Sequence, residues 1–239
     1  MRKYLFALLL TPLLGISQTK TVLTSNRLFA KNDKVSEFEK ALANHAQKYH
    51  TGDVKWRVWS IQSGPDANGY MVTEGPSSWD ILDGRGDISS EHTADWEKNV
   101  LPFTTGQGQS GYYDFQADLS TVQITDYADK IVITHMTAKP GKINDVKNLI
   151  TKFKKVWEDG KESVAVYSAT YSGEPGFIYV TRLKNGLKEL ATDYRKQMSE
   201  RYNNVYGAGS FDAWLKDYAD AVQSRWSEIL IYKPELSSK

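Results

Sequence analysis

The strongest constraint on the fold is an internal repeat. Asn26-Arg27-Leu28-Phe29-Ala30-Lys31-Asn32-Asp33-Lys34-Val35 is matched by Thr134-His135-Met136-Thr137-Ala138-Lys139-Pro140-Gly141-Lys142-Ile143, 108 positions later throughout. Self-similarity at a fixed spacing means that one structural unit occurs twice. After each segment, apolar residues recur every three or four positions: Val35, Phe38, Leu42, Ala46 and Tyr49, then Ile143, Val146, Ile150, Phe153 and Trp157. That spacing predicts one apolar stripe on a helix. Gly52 and Gly160 are placed to end the two helices.

Strand patterns follow in both copies. Lys55–Ile61 and Ser163–Ala169 alternate with period two. Turn residues lead to Tyr70–Thr73 and Phe177–Thr181, which predict hairpins. Further helices are predicted over Ser89–Val100, Gly186–Tyr202 and Phe211–Arg225. Thr93-Ala94-Asp95-Trp96-Glu97-Lys98 aligns with Phe211-Asp212-Ala213-Trp214-Leu215-Lys216 at a spacing of 118, so copy two has gained ten residues before this point. Closing strands are expected at Tyr112–Phe115 and Glu228–Tyr232.

Each copy therefore reads β-α-β-β-α-β, a ferredoxin-like unit. Its sheet carries helices on one face, and the other face must be covered. Two units in one chain can cover each other. The expected fold is α+β: two tandem ferredoxin-like βαββαβ units forming an intrachain pseudo-dimeric α/β barrel. The expected boundaries are a signal peptide at 1–17, repeat 1 at 18–126 and repeat 2 at 127–239.

The signal peptide is read from Arg2 and Lys3, the apolar run Tyr4–Leu14, and small residues at Gly15 and Ser17. The run is too short to span a bilayer, which needs ~20 residues. The expectation is a soluble periplasmic or secreted protein with no membrane association after signal removal. Cysteine is absent, which excludes disulfides, thiolate metal sites and a Cys nucleophile. A net charge of +1 gives no electrostatic footprint for nucleic acid.

This arrangement resembles the dimeric α/β-barrel superfamily, which includes antibiotic-biosynthesis-type monooxygenases, haem-degrading monooxygenases and related stress-response barrels. Haem-degrading members carry an Asn in the first strand, followed by Arg-Leu in some, a Trp in the second helix, and a haem-ligating His about ten residues later. Ser25-Asn26-Arg27-Leu28 and Phe211–Lys216 resemble the first two of these features. Copy one pairs Asn26 with Trp96, but ten residues after Trp96 stands Gly106. Copy two has Trp214, but Thr134 replaces the Asn and Ser224 the His. With the axial position empty, no cofactor is expected, haem included.

Among the histidines, His45 and His50 are five apart, ~140° around a helix, and are read as unable to share a metal. His45 is read as a core residue and His92 as an exposed residue near a helix start. No metal site is expected. His135 lies mid-strand at the repeat position of Arg27, so it can face a cavity as a base or hydrogen-bonding group. His135 and Asn26 are the catalytic candidates. Arg27, His135, Trp56, Trp59, Tyr167 and Trp214 are the ligand-binding candidates. Trp56 and Trp59 must point to opposite faces of their strand. Gly106-Gln107-Gly108-Gln109-Ser110-Gly111 has the spacing of a dinucleotide fingerprint but precedes a strand, and reads as a loop.

The chain is thus expected to bind a small, mostly apolar molecule in an aromatic-lined cavity, or to serve as a partner module, without an evident catalytic set. The alternative is a cofactor-independent monooxygenase of the antibiotic-biosynthesis type, or a degenerate haem-binding relative. Further oligomerisation is left open.

Overall fold

The computed structural model describes residues 19–169 and 171–239. The expected signal peptide at 1–17 lies outside the described residues.

Repeat 1 runs β1 (Val22–Ala30), α1 (Val35–Tyr49), β2 (Trp56–Ile61), β3 (Tyr70–Ser77), α2 (Trp79–Arg85), α3 (Ser90–Asp95) and β4 (Thr104–Phe115). Repeat 2 runs β5 (Lys130–Ala138), α4 (Ile143–Asp159), β6 (Val164–Ser168), β7 (Gly176–Arg182), α5 (Met198–Tyr206), α6 (Ser210–Ala221) and β8 (Val222–Tyr232). The strands close into one barrel in the order β1-β3-β2-β8-β5-β7-β6-β4. Each copy therefore contributes the order 4-1-3-2 of a ferredoxin-like sheet, as the repeat predicts.

Two seams join the copies. Trp59–Ile61 of β2 pair with Leu230–Tyr232 of β8. On the other side, only Asp114 and Phe115 of β4 pair with Ser168 and Tyr167 of β6. Ser172 extends this second seam: its hydroxyl accepts from the Tyr112 amide at 2.6 Å and donates to the Tyr112 carbonyl at 2.9 Å. A side chain there satisfies backbone groups that a strand would otherwise pair.

Alternation along the strands divides the apolar residues between two environments. One face packs under the helices. In repeat 1, Phe38 and Leu42 of α1 meet Val58, Tyr70 and Val72. In repeat 2, Val146, Leu149 and Ile150 of α4 meet Val164, Val166, Phe177 and Trp214. The other face fills the lumen with Trp59, Ile61, Met71, Ile131, Ile133 and Leu230, and with Phe115, Ala165 and Tyr167. Each large apolar side chain among these, fully buried, stabilises the fold by roughly 1.5–3 kcal/mol.

Several local expectations are corrected. The Gly106–Gly111 segment is strand, not loop: β4 starts at Thr104 and pairs with β1 along its length. Glycine is required at 108 because a Cβ there would sit 2.7 Å from the Arg27 carbonyl oxygen. The helix expected from Gly186 begins only at Met198, after a short 3₁₀ turn at Leu187–Leu190 and a loop. The helix expected to reach Arg225 stops at Ala221, and Val222–Ser227 extend β8. Among the described residues, no helix is long and apolar enough to cross a membrane.

Candidate functional site

The lumen is a funnel. Its mouth is a cavity of about 520 Å³ containing Arg27, Asp66, Gln109, His135, Glu174 and Trp226. It narrows to an inner cavity of about 70 Å³ among Trp59, Met71, Tyr113, Tyr127, Tyr167 and Arg182. Arg27, His135, Ser25, Tyr113 and Ile178 line both.

At the junction stands a buried ionic group. Arg27 of β1 donates from Nη1 to Glu228 Oε2 at 2.8 Å and from Nη2 to Oε1 at 2.6 Å. His135 of β5 donates from Nε2 to Glu228 Oε1 at 2.9 Å. Asp66 adds a longer contact to Arg27, at 3.7 Å. The register explains the meeting: β1 and β5 occupy equivalent places in the two copies, and β8 runs beside β5 with Glu228 opposite Ile133. Burial pushes the Glu228 carboxyl up, but the hydrogen bonds from His135 and Arg27 outweigh it and hold the group below the usual carboxylate range. Because Glu228 already accepts from Arg27 as a carboxylate, His135 presents Nε2–H to it. The His135 ring also stacks on Trp226, with centroids 3.8 Å apart and planes 8° apart.

Deeper in the funnel, three polar atoms are buried without a hydrogen-bond partner among the described residues: Trp59 Nε1, Tyr127 Oη and Arg182 Nη1. All three side chains line the inner cavity. An unpaired buried polar group costs about 1–3 kcal/mol, so a cavity lined by all three side chains favours a ligand that brings a polar atom to them. Burial also lowers the Arg182 pKa, although Tyr167 and Asp126 favour its charge.

Of the predicted ligand residues, Arg27, His135, Trp59 and Tyr167 face this funnel together. Trp214 does not. It is packed in the helix layer of repeat 2 against Phe153, Phe211 and Tyr218, with Nε1 donating to the Leu149 carbonyl at 3.4 Å. Asn26 and Trp56 also point away from the lumen, because Asn26 alternates with Arg27 and Trp56 lies three residues from Trp59. They line a groove on the helix side of repeat 1.

That groove has two connected parts. One, of about 430 Å³, is lined by Asn26, Trp56, His92, Trp96 and the glycine-rich start of β4. The other, of about 250 Å³, is lined by Asn26, His50, Trp56, Glu74, Arg85 and His92. His92 is neither isolated nor fully exposed. Ser89 caps α3 by accepting from the His92 amide at 3.1 Å, which fixes the turn that carries it.

The reading that His45 and His50 cannot share a ligand is corrected. α1 ends at Tyr49, and His50 leaves helical geometry as its cap, with φ −98° and ψ 76°. The 100° helical step no longer applies, and one ring nitrogen from each of His45, His50 and His92 lies within 4.8 Å of the others. Burial pushes both His45 and His50 below the usual histidine range. Sequence spacing within a helix gave no sign of this cluster; the signal is the helix stop before Gly52.

No family model matches the chain, and no curated protein matches it in sequence. Solved structures do match in fold. An anthrone oxidase-like protein is 13% identical, with a TM-score of 0.56 over 90% of this chain and 92% of its own. A variant chlorite dismutase from Candidatus Nitrospira defluvii is 8% identical, with a TM-score of 0.54 over 92% and 94%. A heme-binding protein from Thermus thermophilus is 11% identical, with a TM-score of 0.47 over 90% and 91%. At these identities the likeness is one of fold: the chain is a dimeric α/β barrel built from one polypeptide.

The expectation of no cofactor, with haem set aside for want of an axial donor, is overturned. The barrel is shared with chlorite dismutases, and this chain does carry a donor at the Asn26–Trp96 groove. His92 lies four residues before Trp96 rather than ten after it, and all three residues line one cavity. The residues fit haem in this respect: His92 would hold it, with Trp56 and Trp96 beside it. Haem bound there would supply iron redox chemistry.

Proposed function

We propose that the protein is an exported small-molecule-binding barrel whose ligand occupies the funnel between β1, β5 and β8. The observation that carries this reading is that three side chains with a buried polar atom lacking a hydrogen bond among the described residues, Trp59 Nε1, Tyr127 Oη and Arg182 Nη1 (the last with only a 4.0 Å contact to Asp126), line the inner cavity together. Two of them are N–H donors, so the fitting ligand has an oxygen acceptor at its inner end. Its body is mostly apolar or aromatic, matching Trp59, Met71, Ile133 and Ile178. Its outer end lies in the polar mouth near Arg27 and His135. A pocket with apolar walls and a few convergent polar groups is the usual form of a small-molecule site. The export proposal rests on the basic and apolar pattern of residues 2–17.

The test is native mass spectrometry of the protein isolated from its own cell envelope, with an absorbance scan. A stoichiometric small molecule that is lost from a Tyr127→Phe, Trp59→Phe double variant supports the reading. A clean apo mass, together with no binding by oxygen-bearing aromatic probes, overturns it.

A second reading is monooxygenase-type activity at the same site. It is favoured by His135, which the Glu228 carboxylate holds through Nε2–H, leaving Nδ1 as the nitrogen that accepts a proton. Structures of this fold include one described as anthrone oxidase-like and one from Fusobacterium nucleatum with a provisional monooxygenase assignment, 14% identical with a TM-score of 0.54. Dioxygen uptake with the co-purified ligand, abolished in His135→Gln, distinguishes turnover from binding.

A further inference from the structure

We infer that His45, His50 and His92 form a three-histidine site for a divalent transition-metal ion of the zinc–copper class, on the helix side of repeat 1 and separate from the funnel. The three side chains come from different places: the last turns of α1, its cap, and the first turn of α3.

Each imidazole is held in the same way. His45 Nδ1 is 2.8 Å from Asp95 Oδ2. His92 Nδ1 is 3.1 Å from Asp87 Oδ1. His50 Nδ1 is 3.2 Å from the Val54 carbonyl oxygen and 3.3 Å from Glu74 Oε2. Carbonyl and carboxylate oxygens only accept, so every Nδ1 carries its hydrogen and donates it. That leaves each Nε2 with a bare lone pair. An oxygen acceptor on the outer nitrogen is how metal-binding histidines are oriented, and here it occurs three times.

The inner nitrogens then face one another with nothing between them. His92 Nε2 and His50 Nε2 are 3.3 Å apart. His45, 0% exposed, has an Nε2 with no hydrogen-bond partner among the described residues. Two lone pairs at contact distance repel unless a cation lies between them. Two Zn–N bonds of about 2.0–2.1 Å at a tetrahedral angle hold their nitrogens about 3.3 Å apart, the separation His50 and His92 already have. The third nitrogen, within 4.8 Å of the other two, closes by up to about 1.5 Å.

The second copy serves as an internal control. The positions of His45, His50 and His92 correspond to Phe153, Glu158 and Ser210. Phe153 there completes an aromatic core with Trp157, Tyr202 and Trp214. Apolar packing satisfies the Phe153 position, so packing does not explain a histidine at the equivalent position 45, and neither counterpart of His50 and His92 is an imidazole. Three imidazoles suit zinc, copper or nickel and leave a fourth position open. Two of the three, His50 and His92, line the 250 Å³ part of the groove together with Asn26, Trp56 and Arg85.

The experiment uses tag-free protein stripped with a chelator and then titrated separately with Zn²⁺, Co²⁺ and hemin. The expected result is one equivalent of Zn²⁺ by calorimetry and intense visible Co²⁺ bands of a tetrahedral nitrogen site. Affinity should fall at least tenfold in His92→Ala and in His50→Gln, and stay unchanged in His135→Ala. Far-UV circular dichroism identifies any variant that fails to fold, and the other variant then decides. Absence of stoichiometric Zn²⁺ and Co²⁺ binding overturns the inference, as does binding indifferent to both histidine variants. A His92-dependent Soret band without zinc or cobalt uptake also overturns it, and gives His92 to haem instead. Loss of the funnel ligand would leave this result unaffected.

Discussion

Arg27 and Glu228 are 201 positions apart in sequence, yet they form a two-pronged ion pair with bonds of 2.8 and 2.6 Å inside the barrel. Arg27 belongs to the first strand of one copy and Glu228 to the last strand of the other. The pair therefore spans the two halves of the molecule where the funnel narrows.

Removing one partner strands the other. Glu228→Gln leaves the Arg27 guanidinium with only its longer, 3.7 Å contact to Asp66 and weakens the hold on His135. Uncompensated buried charge costs about 3–5 kcal/mol. The variant should lower the urea midpoint with an unchanged slope. The double variant Arg27→Met, Glu228→Gln should recover much of the loss. Equal destabilisation by single and double variants would show that the pair is not coupled.

The same carboxylate sets an acid limb. Its folded pKa lies below the unfolded glutamate value of about 4.3. A depressed carboxyl contributes stability in full above the unfolded value, and the contribution is lost as pH falls through the folded one. Chemical denaturation between pH 7 and 3 should show wild type losing more stability below about pH 4.5 than Glu228→Gln does. Parallel curves would remove Glu228 as the source.

Tyr127→Phe should act in opposite directions on the empty and the occupied barrel. The hydroxyl is buried without a partner among the described residues. Deleting it removes a desolvation cost of about 1 kcal/mol, so the ligand-free variant should melt higher. Ligand affinity should fall. A lower melting temperature without ligand would mean that a water already satisfies the hydroxyl.

Gly108→Ala tests the contact of β4 with β1. The added methyl would press on the Arg27 carbonyl oxygen, and relieving such a clash costs about 1–3 kcal/mol. Hydrogen exchange should quicken at Asn26–Leu28 and Gly108–Ser110, which pair in this register. Exchange unchanged there would show that the ladder absorbs the methyl.

Trp214→Ala should cost about 3–5 kcal/mol through the cavity it leaves in the repeat 2 helix layer. It should leave ligand and metal binding unchanged, since its ring reaches neither the funnel nor the histidine cluster.

The duplication, the order of elements and the closed barrel were legible because repeated sequence and period-two or period-3.6 patterning are properties of the chain itself. Strand facing was not. Asn26 and Arg27 are adjacent, and nothing local says which one enters the lumen; the answer depends on how the copies close over each other. The Gly106–Gly111 part of β4 read as loop because glycine disfavours strands, whereas the close approach of Arg27 demands glycine at 108. The histidine cluster was hidden by extending helical periodicity one residue too far: His50 lies beyond the last turn of α1, and His92 arrives from a different helix. Trp214 read as a ligand residue by analogy with a motif, although its Phe153 and Phe211 neighbours make it core.

The two seams hold the halves in one barrel, but covalent linkage does something pairing alone cannot. In a barrel made from two identical chains, any substitution appears twice, related by the symmetry axis. A histidine placed under one helix would appear under the other as well. Here the axis is only approximate, so the same position holds His45 on one side and Phe153 on the other. One flank of the molecule is free to keep a packed aromatic interior that carries stability, while the opposite flank gives up apolar contact for imidazole. Broken symmetry, more than the barrel itself, is what lets a single chain have two chemically different faces.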